Sequence, residues 1–439
     1  MARFGRLEAR DWARAQMRGV CNVIIPSYTS DLRGLNEAGI RHDVRREIEL
    51  GFKGALLVAE TALTRDEYVQ MVEWAADEAG DDLVLIFHAS FNTLAENIEM
   101  AKRCQEAGTD LVLLSYPPSF YPRSLRDVYD YTAAFCAETA MGVILFPVPL
   151  WGFERLHPAS IPVEMLTEMV DEIPNVAVIK AEGGMPAIAG FTETWNALGD
   201  RVVVTMPLEQ QAIPLATILP LQLIATSNTE CLGGAVPSML SLCQQGRYAE
   251  AMELFWKVDP ARRANERIGV AGANSVHRMA WKYQAWLTGF NGGPLRMPTQ
   301  RLVAPQMNAY RAGAAAAGIL HATAGDEEFF IGRNPAQAGP GGAHLSPARP
   351  LPGSADGDRL LGAVGRSIVY RSGQFTAWGG VQHHDEAVLV EVEHLGADGI
   401  AARMPLAAGR VGRYLHRLPV LQRSCTMRPR MLRPASRSA

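Results

Sequence analysis

The stretch "NVAVIKAEGG", residues 175–184, decides how the chain is read. Val176, Val178 and Ile179 are apolar without alternating, as in a parallel strand buried on both faces. Lys180 then puts an ammonium where that strand runs out into a loop. Similar runs recur along the chain: "CNVII" (21–25), "GALLV" (54–58), "LVLIF" (83–87), "LVLLSY" (111–116), "GVILF" (142–146), "RVVVT" (201–205) and "LQLIAT" (221–226). Helical patterns separate them. "TRDEYVQMVEWAADEAG" (64–80) and "TLAENIEMAKRCQEAG" (93–108) each begin on a threonine suited to an N-cap and end on a glycine.

The runs lie about 20–35 residues apart, the length of a βα unit. Eight such units predict an α/β protein with a (β/α)8 TIM barrel. A doubly wound sheet is the alternative, but no GxGxxG or GxxxxGK[ST] follows any of these strands. In a barrel, Lys180 closes the sixth strand at its C-terminal end, the face where barrel enzymes keep their chemistry. Its plainer role is a strand-end lysine that snorkels to solvent.

Composition is that of a globular protein, 48% hydrophobic and 20% charged. A net charge of −4 offers no electrostatic footprint for nucleic acid or an anionic membrane. No apolar run reaches the roughly 18 residues of a membrane span, and the N-terminus lacks an apolar signal-peptide centre. The six cysteines are scattered without metal-ligand spacing, as expected of reduced thiols in a cytoplasmic protein. The expected organisation is an N-terminal segment (1–15), the barrel (16–235), C-terminal helices (236–320), a Pro/Gly/Ala-rich flexible linker (321–358), and a small β-module or disordered tail (359–439). In the tail, "RSIVYRSGQFTAWGG" reads as two strands around Ser372-Gly373, with "AVLVEVEHL" as a third. His383, His384 and Asp385 invite a metal reading, but adjacent strand residues point to opposite faces, and no metal is expected.

Four pieces, in order, resemble the dihydrodipicolinate synthase and N-acetylneuraminate lyase superfamily. They are "YPPSFYPRS" after strand four, "LFPVP" at strand five, "VIKAEGG" at strand six and "GGPLRMP" (292–298) in the helical region. The resemblance spans about residues 15–320. It implies that Lys180 forms a Schiff base with a 2-oxo acid, with no metal or organic cofactor, in a homo-oligomer (dimer or tetramer). The chemistry agrees. An apolar barrel disfavours the charged form of a lysine, and a neutral amine attacks a ketone to give an iminium, which is an electron sink.

The departures from the family are specific. Its strand-five tyrosine, a proton shuttle, is matched by Phe146. Its carboxylate-binding Gly-Thr-Thr-Gly-Glu loop is shortened in "GALLVAETALT" (54–64), which leaves Glu60 and Thr61 at the end of strand two. Its carboxylate-gripping arginine falls at Trp151, with Arg155 close by. Its loop tyrosines, one of which reaches a neighbouring subunit, fall at Ser119 and Phe120, flanked by Tyr116 and Tyr121. Glu182 shares strand parity with Lys180 and is a candidate proton relay, or else a loop glutamate paired with a surface arginine. His88, Asn228 and Glu230 end strands three and eight on the same rim. The expected activity is a Schiff-base lyase or aldolase on a 2-oxo acid or related carbonyl compound. The alternatives are a hydro-lyase or decarboxylase using the same iminium, and a barrel that binds a ligand without turnover.

Overall fold

The computed structural model describes residues 3–117, 119–148, 151–181, 187–269, 278–297, 299, 302–336, 377–383 and 386–392, with backbone alone for 187–189, 266–269 and the last two segments. All eight expected strands form: β1 (Gly19–Ile24), β2 (Gly54–Leu57), β3 (Val84–Ala89), β4 (Leu111–Leu114), β5 (Gly142–Leu145), β6 (Val176–Lys180), β7 (Val203–Thr205) and β8 (Leu223–Ile224). Each pairing described among these eight strands is parallel, in the order β7-β6-β5-β4-β3-β2-β1-β8. With its alternating helices this is a (β/α)8 TIM barrel. The β7–β8 seam is bridged by a side chain: Thr205 Oγ1 donates to Leu223 O and accepts from Ala225 N–H, both at 2.9 Å.

Local sequence accounts for the helix ends. Thr64 and Thr93 cap Arg65–Ala79 and Leu94–Ala107 in reciprocal capping boxes with Glu67 and Glu96. Gly80 and Gly108 end them at φ +51° and +123°. The N-terminal segment is part of the barrel. Ala9, Ala13 and Met17, on and just after the helix Ala9–Gln16, are fully buried. Arg10 on that helix donates to Val176 O (2.9 Å) and Ile173 O (2.7 Å), so it holds the start of the strand that ends in Lys180.

The C-terminal helices include Arg278–Leu287, which is almost wholly buried. Its Lys282 ammonium donates to Pro26 O just beyond β1. Burial drives the Lys282 amine down and the nearby Asp43 carboxyl up, each opposed by the other's charge. In "GGPLRMP", Gly292 sits at φ +78°, and a Cβ there would lie 2.7 Å from the Trp286 ring. Arg296 of the same segment clamps Glu67 with two 2.7 Å hydrogen bonds and covers the Tyr28 ring.

Residues 321–336, the start of the expected linker, pack on the helices instead. Phe329 is fully buried, edge-on to Tyr283 and Trp286. Asn334 N–H donates to Asn291 Oδ1 at 2.8 Å, and Asn36 Nδ2 donates to Asn334 O at 2.7 Å. The alanine-rich run before it masks this anchor in the sequence. Contacts divide the chain into residues 1–345 and 346–439. In the second unit, strands Ala377–His383 and Glu386–Val392 pair antiparallel, His383 opposite Glu386. The second of these strands falls in the expected "AVLVEVEHL" run; Ser372-Gly373, where a hairpin is expected, lie outside the described residues, as do His384 and Asp385. Among the described residues, no helix is long and apolar enough to cross a membrane and no His/Cys/Asp/Glu group could hold a metal.

If residues 326–334 complete the core, Phe329→Ala should cost about 3–5 kcal/mol, the range for deleting a buried phenyl ring. Urea unfolding of the full chain measures this, and an unchanged midpoint would exclude that role.

Candidate active site

Strand parity sorts the residues at the C-terminal ends of the strands. Alternate side chains enter the barrel and the others face the helices. Lys180 on β6 is 6% exposed. Its Nζ lies 3.6 Å from the centroid of the Phe146 ring, carried in just after β5. Trp151 fixes that ring, donating from Nε1 to Phe146 O at 2.9 Å and lying edge-on to it. The position where the resemblance puts a carboxylate grip thus supports the wall over the lysine.

Further round the barrel, at the ends of β2, β3 and β4, His88 Nε2 is 3.0 Å from Ser115 Oγ and 3.9 Å from Glu60 Oε1. The backbone N–H of Ala59 points at His88 Nδ1 (3.4 Å). Nδ1 is therefore an acceptor, and Nε2 carries the hydrogen and donates to Ser115. The His88 backbone N–H donates to Tyr68 Oη, whose proton goes to Leu57 O. Burial pulls the His88 ring down to about 4. Glu60 opposes this, while Arg278 and Lys180 add to it. The ring is neutral at neutral pH.

Glu60 pairs with Arg278, which enters from the first turn of the helix Arg278–Leu287 and is 10% exposed. Burial opposes ionisation of Glu60. His88, Arg278 and Lys180 outweigh it and hold the carboxyl below its ordinary range. The mouth of the barrel thus combines an amine, a guanidinium, a carboxylate, a neutral imidazole and a serine hydroxyl.

The other sequence candidates fall elsewhere. Tyr116 points out of the barrel: it is buried, with its hydroxyl 2.7 Å from Thr132 Oγ1 on the helix Leu125–Ala137, and packs on Phe120, Tyr131 and Phe153. Parity sends Ser115 in and Tyr116 out, so the catalytic expectation for Tyr116 is corrected. Tyr121 is 77% exposed under the Arg155 guanidinium, 3.7 Å from its ring centroid. Arg155 also donates to Pro122 O, so it does not replace the missing arginine in the mouth. Thr61 is buried, and its carbonyl accepts from Tyr28 at 2.6 Å. Asn228 is buried at the start of the turn Thr229–Leu232. Glu230, on that turn, sits among Asn22 and Glu47 against the helix Glu37–Glu49. Glu182 lies outside the described residues. Sequence reasoning missed Ser115 and Arg278. The first was legible by parity, as the polar residue just past β4 with the parity of Leu113, which is in register with His88; the second had no local signal, because a helix far along the chain delivers it.

A buried lysine on the inner wall of a (β/α)8 barrel, ringed by polar strand ends, is the arrangement of an aldolase-type lyase. The dihydrodipicolinate synthetase family model matches residues 16–262, and the chain belongs to that family. It is 26% identical over 293 residues to a DapA-like lyase of Pyrobaculum arsenaticum, covering 64% of this chain and 92% of that one. It is 23% identical over 255 residues to a 4-hydroxy-tetrahydrodipicolinate synthase of Methanopyrus kandleri, covering 57% and 81%. The fold superposes on dihydrodipicolinate synthase from Aquifex aeolicus (TM-score 0.59, 16% identity, 70% and 100% coverage). It also superposes on N-acetylneuraminate lyase from Fusobacterium nucleatum (TM-score 0.58, 18% identity, 69% and 99% coverage). In class, the protein is a lyase.

The state of His88 predicts an acid limb in stability. A histidine held neutral stabilises the fold fully above its ordinary 6.5, and that contribution is lost as pH falls through about 4. It amounts to at most about 3 kcal/mol. His88→Gln, which does not titrate, should lose less stability than the wild type between about pH 6.5 and 4. Parallel pH profiles of urea unfolding for the two proteins would contradict this assignment.

Proposed function

We propose that the protein is a Schiff-base-forming lyase acting on a 2-oxo acid, with Lys180 as the nucleophile. The observation that carries this is the Lys180 amine, buried at the C-terminal end of β6 against the Phe146 face. The amine attacks the substrate carbonyl carbon. Loss of water from the carbinolamine gives an iminium. The bond between the α and β carbons then breaks: the substrate's β-hydroxyl loses its proton and becomes the carbonyl of a departing aldehyde, and the bond's electron pair passes to the iminium to leave an enamine, which is protonated at carbon and hydrolysed to release a 2-oxo acid and lysine.

Arg278 is the remaining cation in this part of the mouth among the described residues, and it is the natural partner for the substrate carboxylate. Glu60 offsets one positive charge, so a monocarboxylate leaves the set Lys180 iminium, Arg278, Glu60 and substrate balanced. The second reading, a barrel that binds a carbonyl ligand without turnover, draws support from Phe146, which puts no titrating group over the amine.

The test is incubation with pyruvate, 2-oxobutyrate, 2-oxoglutarate or acetone, followed by cyanoborohydride and intact mass with peptide mapping. A stable adduct at Lys180, absent from Lys180→Ala, is expected. Arg278→Gln should raise the concentration needed for half-maximal trapping of pyruvate by about 10–100-fold, the worth of a charge-assisted hydrogen bond, and leave acetone nearly unchanged. Adducts confined to surface lysines, equal in Lys180→Ala, would overturn the reading. Trapping without cleavage of any aldol product would favour the binding protein.

A further inference from the structure

Phe146 leaves the strand-five wall with no hydroxyl, and amine attack on a carbonyl builds negative charge on an oxygen that needs a donor. We propose that Ser115 supplies that donor to the substrate oxygen, and that His88 is its positioning residue. The proposal rests on the Lys180 reading above and adds the group that receives the substrate's carbonyl oxygen.

One proton decides the role of Ser115. Ser115 is 1% exposed. Its backbone is fixed to β3 by N–H to Ala89 O at 3.0 Å. Its Oγ accepts from His88 Nε2–H, because Ala59 N–H occupies Nδ1 and the Glu60 carboxylate, 3.9 Å from Nε2, would repel a bare lone pair there. The serine's own hydrogen must then point elsewhere, and among the described residues it has no acceptor. Ser115 stands between His88 on β3 and Phe146 beyond β5, with the same parity as Leu113 and Leu111 on β4. Its hydrogen therefore belongs to the barrel mouth, on the side where Phe146 covers Lys180.

Other hydroxyls do not meet these conditions. Thr205 uses its oxygen as both donor and acceptor across the β7–β8 seam. Tyr116 is turned to Thr132. Thr61, Ser90 and Thr226 have side-chain oxygens without partners, but nothing orients them.

The same geometry stops His88 from acting as a base. Nδ1 faces an amide hydrogen and Nε2 already holds one, so at neutral pH the ring has no vacant site for a proton. The pair is a fixed donor. As the Nζ–carbon bond forms, the carbonyl π electrons pass to oxygen. The Ser115 hydrogen bond stabilises that oxygen until it takes a proton released by the attacking nitrogen, giving the neutral carbinolamine. Any carbonyl substrate of Lys180 fits this role, with or without a carboxylate.

The experiment follows the rate of Lys180 adduct formation in the full chain, with cyanoborohydride and whichever of the carbonyl compounds above traps fastest. Ser115→Ala should slow it by about 10–100-fold, toward the lower end of the effect of removing an oxyanion donor, while Ser115→Thr recovers most of the rate. His88→Leu should fall as far as Ser115→Ala, His88→Gln should fall less because its amide still donates, and Ser115→Ala/His88→Leu should fall no further than either single variant. Equal rates in wild type and Ser115→Ala, at equal melting temperature, would overturn the serine role and leave the imine standing. Additive losses in the double variant would overturn the positioning role of His88. No adduct at Lys180 in the wild type would overturn the imine reading and this proposal together.

Discussion

A strand buried on both faces cannot choose where its side chains go. In this barrel every strand packs against the other strands' side chains inside and helices outside, so alternation is compulsory along the whole strand. At the C-terminal ends that constraint becomes functional. Ile179 belongs to the packing and Lys180 to the mouth. Phe87 lies edge-on to Tyr68 of the helix Arg65–Ala79, 5.7 Å between centroids, and His88 turns inward. Ser115 turns inward and Tyr116 outward. A shift of one residue in any of these strands would exchange an apolar contact for a reactive group.

The polar groups in the mouth hold one another in definite states. Arg278 keeps Glu60 ionised against the cost of burial. Burial keeps His88 neutral, with Arg278 and Lys180 adding to it, and the Ala59 amide selects which nitrogen carries its hydrogen. Phe146 contributes no proton chemistry but offers the Lys180 amine a π face in place of water. Such a site is preorganised: its donors are aimed before a substrate arrives, which is where electrostatic catalysis gains most.

The helix Arg278–Leu287 ties this site to the rest of the molecule. One turn separates Arg278, in the mouth, from Lys282, which donates to Pro26 O behind β1. Around that junction Asp43, Glu47 and Glu230 are buried, and burial pushes all three carboxyls up. Asn22 joins two of them, donating to Glu47 Oε1 at 2.6 Å and accepting from the Glu230 N–H. Asn291 takes the third, its N–H donating to Asp43 Oδ1 at 2.6 Å. The guanidinium therefore reaches Glu60 from a helix anchored by buried polar bonds, and single losses there would leave uncompensated polar groups.

The eight strands, the threonine-capped helices and the strand-end place of Lys180 were all determined by the sequence alone. Their signals are local: apolar runs of strand length, a Thr-x-x-Glu box, a glycine stop, a lysine after four buried residues. His88 and Glu60 on the rim were legible for the same reason, since strand ends can be counted, whereas Phe146 was placed at the end of strand five by the family resemblance and its position over the lysine only by the structure. What only the tertiary structure decided is which of these groups meet. Ser115 and Tyr116 are adjacent in sequence and separated by the sheet. Arg278 and Glu60 are far apart in sequence and joined in the mouth. The anchor at Phe329 is one of two adjacent phenylalanines after an acidic run, and nothing in the sequence says which is buried until Tyr283 and Trp286 close on it. Side-chain contacts across a barrel depend on register between strands and on where a distant helix docks, and neither is encoded within the window of any one motif.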